Sequence, residues 1–543
     1  IEKPTGDMSM QEYAFRRATD ANPFPSMMGR VCPAPCEEGC NRNHVDDFVG
    51  INSVEQYIGD TAIENGFSYE AGASTGKKVA VIGGGPAGMA AAYQLRRMGH
   101  AATVFEERAE LGGMMRYGIP GYRIPREKLA AEINRIVDMG VEVKTNTRVG
   151  KDISTDQLEK DFDAVLWALG CWTGRGLPVD GWDGTSNCVD GLTFLEAFNN
   201  GRMKVTGQKI VCIGGGDTSI DVVSVARRIG YNAEAGLPEA ILNNNETHDQ
   251  SLADAAVPCD ATLTSLFTKD KMFAAEHEIT DATEEGVTIL DGVMPLEVIV
   301  GDDGRATGLK VCDCTMDGMT PVPTEGTERV IDADLIVAAI GQGGDMEGVE
   351  DFANDRNLIN ADKNYQVVDK PGHFVAGDIV RPHLLTTAIG QASVAAESIN
   401  SYLMAEKMAR RPKVDKHHFS LSEKLVEVGL EPDPYDKQSS TGTSEENYAV
   451  HNFDDRSEHE IINYDALFLG HFEQVDRNLR AEDVPNSDQV LGHFHERMAG
   501  LAEEAAVAEA ERCMSCGMCF ECDNCVIFCP QDAVYRVKKD QST

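Results

Sequence analysis

Residues 77–106 read KKVAVIGGGPAGMAAAYQLRRMGHAATVFE. An apolar run, a glycine cluster, an alanine-rich amphipathic run and a second apolar run follow one another. This predicts strand, tight turn, helix and strand. Gly83, Gly85 and Gly88 stand in G-x-G-x-x-G spacing, with Pro86 and Ala87 between the last two. The first glycine makes the turn, the second lets backbone approach a pyrophosphate, and the third lets helix pack closely on strand. The free N–H groups at the helix start then face the phosphates. Glu106 ends the second strand, where an acid accepts ribose hydroxyls. The stretch is a dinucleotide cradle and sets an α/β fold with parallel sheets.

Working outward, the pattern recurs once. Residues 209–228, KIVCIGGGDTSIDVVSVARR, place Gly214 and Gly216 at the first two glycine positions and Ser219 at the third. Asp217 and Thr218 open the helix; Asp217 is positioned either to cap free N–H groups or to orient the nicotinamide side of a bound dinucleotide. Two short strands follow, LIVAAIGQ (335–342, with Gly341) and HFVAGDIV (373–380, with Gly377 and Asp378). The helical run TTAIGQASVAAESI, with Thr387 and Ala388, comes next. An Asp at a strand end beside a helix start has the chemistry to hold a ribityl hydroxyl, and the helix start can face flavin carbonyls. The expected architecture is two Rossmann-like dinucleotide-binding domains, one inserted in the other. The first domain occupies 77–195 and 333–410, and the inserted one 196–332. Residues 231–260 read as a polar surface insertion.

The flanks differ. Residues 1–70 are polar and carry Cys32, Cys36 and Cys40, with a helical look over 53–64. Residues 411–512 are expected to be a linker that wraps the core or forms a homodimer contact. Six more cysteines, Cys513, Cys516, Cys519, Cys522, Cys525 and Cys529, lie in the last 31 residues. Of 15 cysteines in 543 residues, nine thus fall in two tight clusters. Such clustering without a signal peptide reads as metal ligation in reducing cytoplasm rather than as disulfides. The run from Cys519 to Pro530 has the C-x2-C-x2-C-x3-C-P spacing of bacterial ferredoxins; a zinc site is the alternative. A net charge of −40 argues against nucleic-acid binding. No apolar run is long enough for a membrane-spanning helix. No acid–base or nucleophile set stands out, so no side chain is assigned a catalytic role.

Taken in order, GGGPAGMAAA, ELGGMMRYGIPGYRIPRE (110–127, with Gly113), GGGDTSID, AIGQ and VAGD resemble the glutamate synthase small-subunit-like iron–sulfur flavoproteins. The resemblance implies FAD at the first cradle, NAD(P)H at the second, and [4Fe–4S] clusters that pass electrons on singly. It implies that 1–70 is a helical cluster domain, with Cys32, Cys36 and Cys40 as ligands. Glu55 is its candidate non-cysteine ligand, a solvated helix residue being the alternative. It also leads us to expect ligand sets cut short at both chain ends. Relatives that prefer NADP carry an arginine pair where this chain has Thr268 and Lys269, which points to NAD(H) rather than NADP. Arg227 and Arg228 are a further phosphate candidate, or a solvated helix face. The tail 513–543, read as the start of a ferredoxin-like domain, resembles that of the flavoproteins associated with dissimilatory sulfite reductase. This implies a sirohaem sulfite reductase as redox partner, in sulfur oxidation. The alternatives are delivery of electrons to an amidotransferase, as by a glutamate synthase small subunit, and a non-catalytic electron-transfer scaffold.

Overall fold

The computed structural model describes residues 8–406 and 473–514. They fall into two compact units. The larger begins with helices α1 (Met10–Ala18), α2 (Pro25–Val31) and α3 (Ile51–Glu64). Ser9 caps α1 through the Glu12 N–H at 3.0 Å. Helix α2 starts at Pro25 without a side-chain cap of its own. Its first N–H groups, of Ser26 and Met27, instead donate to the buried Glu132 carboxylate at 2.8 and 3.1 Å. That contact seats the N-terminal helices on the first dinucleotide domain.

The first domain starts with β1 (Lys78–Ile82), α4 (Pro86–Arg97) and β2 (Ala101–Phe105), as the glycine pattern predicts. Then come α5 (Arg126–Val137), β3 (Glu142–Lys144) and β4 (Ala164–Trp167). The chain next leaves this sheet and builds a second one. Its elements are β5 (Cys188–Asp190), α6 (Gly191–Asn199), β6 (Lys209–Ile213), α7 (Asp217–Ile229), β7 (Asp260–Ser265), α8 (Glu276–Glu284) and β8 (Thr288–Asp291). An antiparallel excursion follows through β9 (Val293–Val300), β10 (Ala306–Asp317), β11 (Thr320–Pro323) and β12 (Arg329–Asp332). Strand β13 (Leu335–Ala338) closes the second sheet. Strand β14 (His373–Val375) and helix α9 (Leu385–Leu403) return to the first domain.

Both five-stranded sheets are parallel, ordered β14-β4-β1-β2-β3 and β5-β13-β6-β7-β8. Here one expected boundary is corrected. The sequence pattern places LIVAAIGQ in the returning part of the first domain, yet β13 pairs with β6, Ile336 opposite Val211. Strand β5, placed before the expected insertion point, pairs with β13 as well. The inserted sheet therefore spans 188–338. A fully buried parallel strand carries no alternation that says which sheet owns it. A two-residue ribbon, Gln342 with Gly174, follows at the crossing back.

The cores are close-packed. On one face of the first sheet, Val79, Val81 and Leu166 bury against Ala91, Ala92, Ala392 and Ala395 of α4 and α9. The small side chains let these two helices approach closely. Trp167 fills the other face. Its indole N–H donates to His373 Nδ1 at 3.1 Å. That ring nitrogen must therefore accept, leaving Nε2 to donate to Glu159 at 3.1 Å. The 231–260 stretch is less of a surface insertion than expected, since Ile241 and Leu242 join the core of the second domain.

Residues 478–508 form a strap over the larger unit. The Arg480 guanidinium donates to Gln56 Oε1 at 2.6 Å, and Gln56 Nε2 donates to the Met498 carbonyl at 3.0 Å. Glu496 pairs with buried Arg30 at 2.6 Å. Further along the strap, the Gly492 N–H donates to the Arg228 carbonyl at 2.8 Å, and Arg497 pairs with Asp281. Of the residues expected to wrap the core or form a dimer contact, 411–472 lie outside the described residues.

The smaller unit comprises residues 35–49, 473–477 and 509–514 among those described. Two arginines organise it. Arg42 grips Asp46 through two bonds of 2.7 and 2.6 Å and also donates to the Arg512 carbonyl at 3.0 Å. Arg512 donates to Asp46 at 2.9 Å, to Glu509 at 2.6 Å and to the Phe48 carbonyl at 2.9 Å. Asp46 thereby serves both guanidinium groups, and they hold its carboxyl down at about 2.

Candidate functional site

The first cradle is built from backbone. Gly83 has φ +106°, and a Cβ there would lie 2.3 Å from the Ala168 carbonyl. At Gly88 a Cβ would lie 1.9 Å from the Gly83 carbonyl, so only glycine lets α4 sit this close to β1. Gly113, at φ +50°, brings its loop onto Gly85, where a Cβ would lie 2.6 Å from the Gly85 Cα. Helix α4 has no side-chain cap, so its first N–H groups stay open to a phosphate. Pro86 at its first position has no N–H to lose.

Glu106 sits at the end of β2, lining the same cleft. Its two carboxylate oxygens accept from the Gly84 N–H at 2.7 Å and the Arg108 N–H at 2.9 Å. Burial pushes the carboxyl up, while those two amides pull the other way. The opposite wall comes from the chain's return: Gly377, Asp378, Leu385 and Ala388 line the cleft. The Gly377 N–H donates to Gln391 at 2.8 Å. Burial raises the Asp378 carboxyl to about 6, against a 3.2 Å bond from the His383 N–H. Thr387 bonds His383 through its hydroxyl at 2.8 Å. Helix α9 also begins without a side-chain cap, facing the cleft with Leu385. A groove with two open helix starts, a carboxyl at each side and a floor that no Cβ could share fits an elongated dinucleotide such as FAD.

Several cleft residues carried no sequence signal. Arg148 pairs with Glu107 at 3.0 Å and Asp345 at 2.9 Å, tying together loops from distant parts of the chain. Trp172 lines the cleft and stacks under Arg108 at 4.2 Å. The Cys171 thiol donates to the Asp378 carbonyl at 3.3 Å, and burial pushes it up to about 12, which keeps it protonated and unreactive. These are single residues on loops, without periodicity or motif to mark them.

The second cradle repeats the design with one change. A Cβ on Gly214 would lie 2.5 Å from the Ala339 carbonyl. Ser219, fully buried at the third glycine position, folds its hydroxyl onto the Gly216 carbonyl at 2.6 Å. The hydroxyl is thereby satisfied, and serine is tolerated where the first cradle demands glycine. Helix α7 has no side-chain cap. Asp217 does not cap it, contrary to one of the two expected roles; its carboxylate accepts from the Ala275 N–H at 3.3 Å. Burial and the nearby Glu278 raise it. Thr218 is half-buried at the helix start beside Gly191. Gly341, φ +112°, accepts from the Arg175 N–H at 3.1 Å beyond β13.

The turn after β7 lies beside this cradle, where the Phe273 and Ala274 N–H groups donate to the Gly215 carbonyl at 2.8 and 2.9 Å. Lys269 and Lys271 lie exposed on a 3₁₀ turn. The Lys269 N–H donates to Asp291 Oδ2 at 3.0 Å. Phe267 and the exposed Phe273 meet edge to face at 5.1 Å. Arg227 and Arg228 fit neither of their expected readings. Both are buried, Arg228 forking onto Glu285 at 2.7 and 2.6 Å and Arg227 donating to the Glu285 carbonyl at 3.0 Å. They are structural and unavailable to a phosphate.

Of the metal-ligand candidates, Cys32 ends α2, its sulfur 3.5 Å from the Ala34 N–H. Cys36 is exposed on the turn Pro35–Glu38. Cys40 and Cys513 lie on the two segments of the smaller unit that Arg42 and Arg512 tie together. Glu55 is half-buried on α3, not solvated; it accepts from Asn22 Nδ2 at 2.8 Å, and burial lifts it to about 7. Its side chain is on the helix that also holds the Cys32 carbonyl, through Asn52 at 2.6 Å. Cysteine thiols are the donor type that an iron–sulfur cluster takes. Cys516, Cys519, Cys522, Cys525 and Cys529 lie outside the described residues.

Residues 77–395 match the family described as pyridine nucleotide-disulphide oxidoreductase. Residues 7–67 match dihydropyrimidine dehydrogenase domain II, 4Fe-4S cluster. The chain is 30% identical over 525 residues to the NADP(+)-dependent formate dehydrogenase subunit beta of Moorella thermoacetica, covering 90% of this chain and 65% of that one. It therefore spans just under two thirds of that relative's length. It is 33% identical over 421 residues to the glutamate synthase (NADPH) small chain of Mycobacterium tuberculosis, covering 74% of this chain and 82% of that one. Among solved structures, Mycobacterium tuberculosis FprA in complex with NADPH shares the fold, with a TM-score of 0.50 at 14% identity over 61% of this chain and 85% of that one. Among the described residues, no helix is long and apolar enough to cross a membrane.

Proposed function

This chain belongs to the pyridine nucleotide-disulphide oxidoreductase family, and within it we propose an NADH-linked iron–sulfur flavoprotein subunit that exchanges electrons with a sirohaem sulfite reductase. Its cofactors are FAD, a nicotinamide dinucleotide and [4Fe–4S] clusters. The carrying observation is the pair of backbone cradles on two separate parallel sheets in one chain. We assign FAD to the cradle at Gly83–Gly88 and NAD(H) to that at Gly214–Ser219. FAD, when bound, supplies the step between paired and single electrons.

The chain's own residues bind and orient. The open starts of α4 and α7 hold the two pyrophosphates. Glu106 accepts adenosine ribose hydroxyls, and Asp378 with the start of α9 holds the other end of the flavin nucleotide. No side chain has to move a proton for hydride exchange. NAD(H) rather than NADP(H) is supported by the turn after β7. The Asp291 carboxylate accepts from the Lys269 N–H there, and a carboxylate repels a 2′-phosphate. A lysine in place of an arginine pair also gives up bidentate recognition.

The partner reading rests on the resemblance of residues 513–530 to the tail of sulfite-reductase-associated flavoproteins. Delivery to an amidotransferase is disfavoured, because the glutamate synthase small chain accounts for only 74% of this chain. Reduction of a viologen by NADH and by NADPH tests the nucleotide. We expect the apparent affinity for NADH to exceed that for NADPH by about tenfold, the loss of one charged contact or more. Equal use or NADPH preference overturns it. Co-purification with a sirohaem protein supports the partner, and co-purification with an amidotransferase refutes it.

A further inference from the structure

The strap carries a side-chain cluster outside both dinucleotide cradles. Asp483, His493 and His495 come together where the strap folds back on itself, with one donor atom of each within 4.8 Å of the others. His493 Nε2 lies 3.3 Å from Asp483 Oδ2, and His495 Nδ1 lies 3.6 Å from the same oxygen. A charge-assisted hydrogen bond between such groups is shorter, about 2.7–2.9 Å. Two ligands on one zinc ion at about 2.0–2.1 Å, opened to the tetrahedral angle, stand about 3.4 Å apart. The two nitrogen–oxygen spacings are closer to those of ligands on one ion than to a direct charge-assisted bond.

The backbone holds both ends of the cluster in place. On one side Glu482 pairs with Met498, and the Asp483 N–H donates to the Arg497 carbonyl at 2.8 Å. On the other, Val490 is fully buried, the His493 N–H donates to its carbonyl at 3.1 Å, and the Gly492 N–H is bonded to the Arg228 carbonyl of α7. The ligands are thus brought together by backbone contacts rather than by their side chains, which lowers the entropic cost of binding. His493 is 17% exposed and His495 79%, so one side of the cluster is anchored and the other open to water.

We propose that Asp483, His493 and His495 form a divalent transition-metal site of the zinc type that staples the strap's loop. Two imidazoles and one carboxylate suit Zn²⁺ over Mg²⁺ or Ca²⁺, which favour all-oxygen shells. Water completes the coordination. The chain's charge of −40 raises the local cation concentration. The staple closes a loop whose carbonyls and amides engage α7, and so fixes the strap against the second domain.

The test is zinc uptake by the flavin- and cluster-loaded protein after removal of loose metal, with zinc-edge X-ray absorption on the loaded sample. We expect one additional zinc per chain, bound by nitrogen and oxygen with the scattering pattern of imidazole. His493→Gln and Asp483→Asn should each weaken uptake at least about tenfold, as even loss of an outer-shell partner does. His495→Gln changes an exposed side chain, leaves the fold intact, and should weaken uptake likewise. Zinc should raise the melting temperature of the wild type and not of these variants. No uptake, sulfur-only coordination, or uptake equal in wild type and all three variants overturns the proposal.

Discussion

At Gly88 an added methyl would lie 1.9 Å from the Gly83 carbonyl, closer than any real Cβ contact. The helix would have to lift from its strand and take the phosphate-facing N–H groups with it. Gly88→Ala is therefore expected to be purified with less than about a tenth of the wild-type flavin, read from the visible flavin band per protein; this corresponds to roughly 1.4 kcal/mol or more of lost binding. The equivalent Ser219→Ala should keep its nucleotide, because that position already accommodates a Cβ. A second residue-scale prediction concerns Asp46. Arg42 and Arg512 hold its carboxyl at about 2, below its ordinary value near 3.8. The stability it contributes is therefore present above about pH 4 and lost as pH falls through about 2. Asp46→Asn should remove that acid dependence and raise amide hydrogen exchange in residues 509–513 at neutral pH. Unchanged exchange would show that the two arginines hold the segment without it. The glycines were legible in sequence because their role is backbone geometry at fixed spacing. Arg227 and Arg228 were not, because whether an arginine is buried against Glu285 or bathed in water depends on a partner 57 residues away.

At the scale of elements, strand–turn–helix units were read from periodicity and glycine, and they stand where the pattern puts them. Ownership of strands was not readable. Strand β13 is buried on both faces and could pair in either sheet until the register with β6 is seen. The strap was the least legible element, since it owes its course to polar side chains rather than to an apolar stripe. It meets a buried charge network: Arg123 pairs with Asp221 at 2.7 Å and with Glu278, and Arg497 of the strap pairs with Asp281. Arg123 lies in the YRIPRE loop of the first domain and both its acids in the second, so this side chain spans the two. Removing one partner from a buried set leaves uncompensated charge, at a cost of about 3–5 kcal/mol. Arg123→Ala should accordingly lower the melting temperature by roughly 10 °C, and the joint variant with Asp221→Asn should recover part of that loss. Additive losses would contradict the network.

For the molecule as a whole, the two cradles and the two ends have different standing. The cradles follow from local chemistry repeated twice, and each is complete within the described residues. The cysteine clusters differ: their spacing is plain in the sequence, but the contacts that hold residues 35–49 and 509–514 in one unit join segments far apart in the chain. The arginine hub at Asp46 is one device that joins such segments, and no sequence pattern signalled it. In the proposed function, nucleotide at the second cradle exchanges electrons with flavin at the first. Anaerobic titration of the flavin- and cluster-loaded protein with NADH, followed by visible absorbance and electron paramagnetic resonance, tests it most directly. NADH should bleach the flavin band, and reduced-cluster signals should then appear. A flavin that stays oxidised with both NADH and NADPH would contradict it.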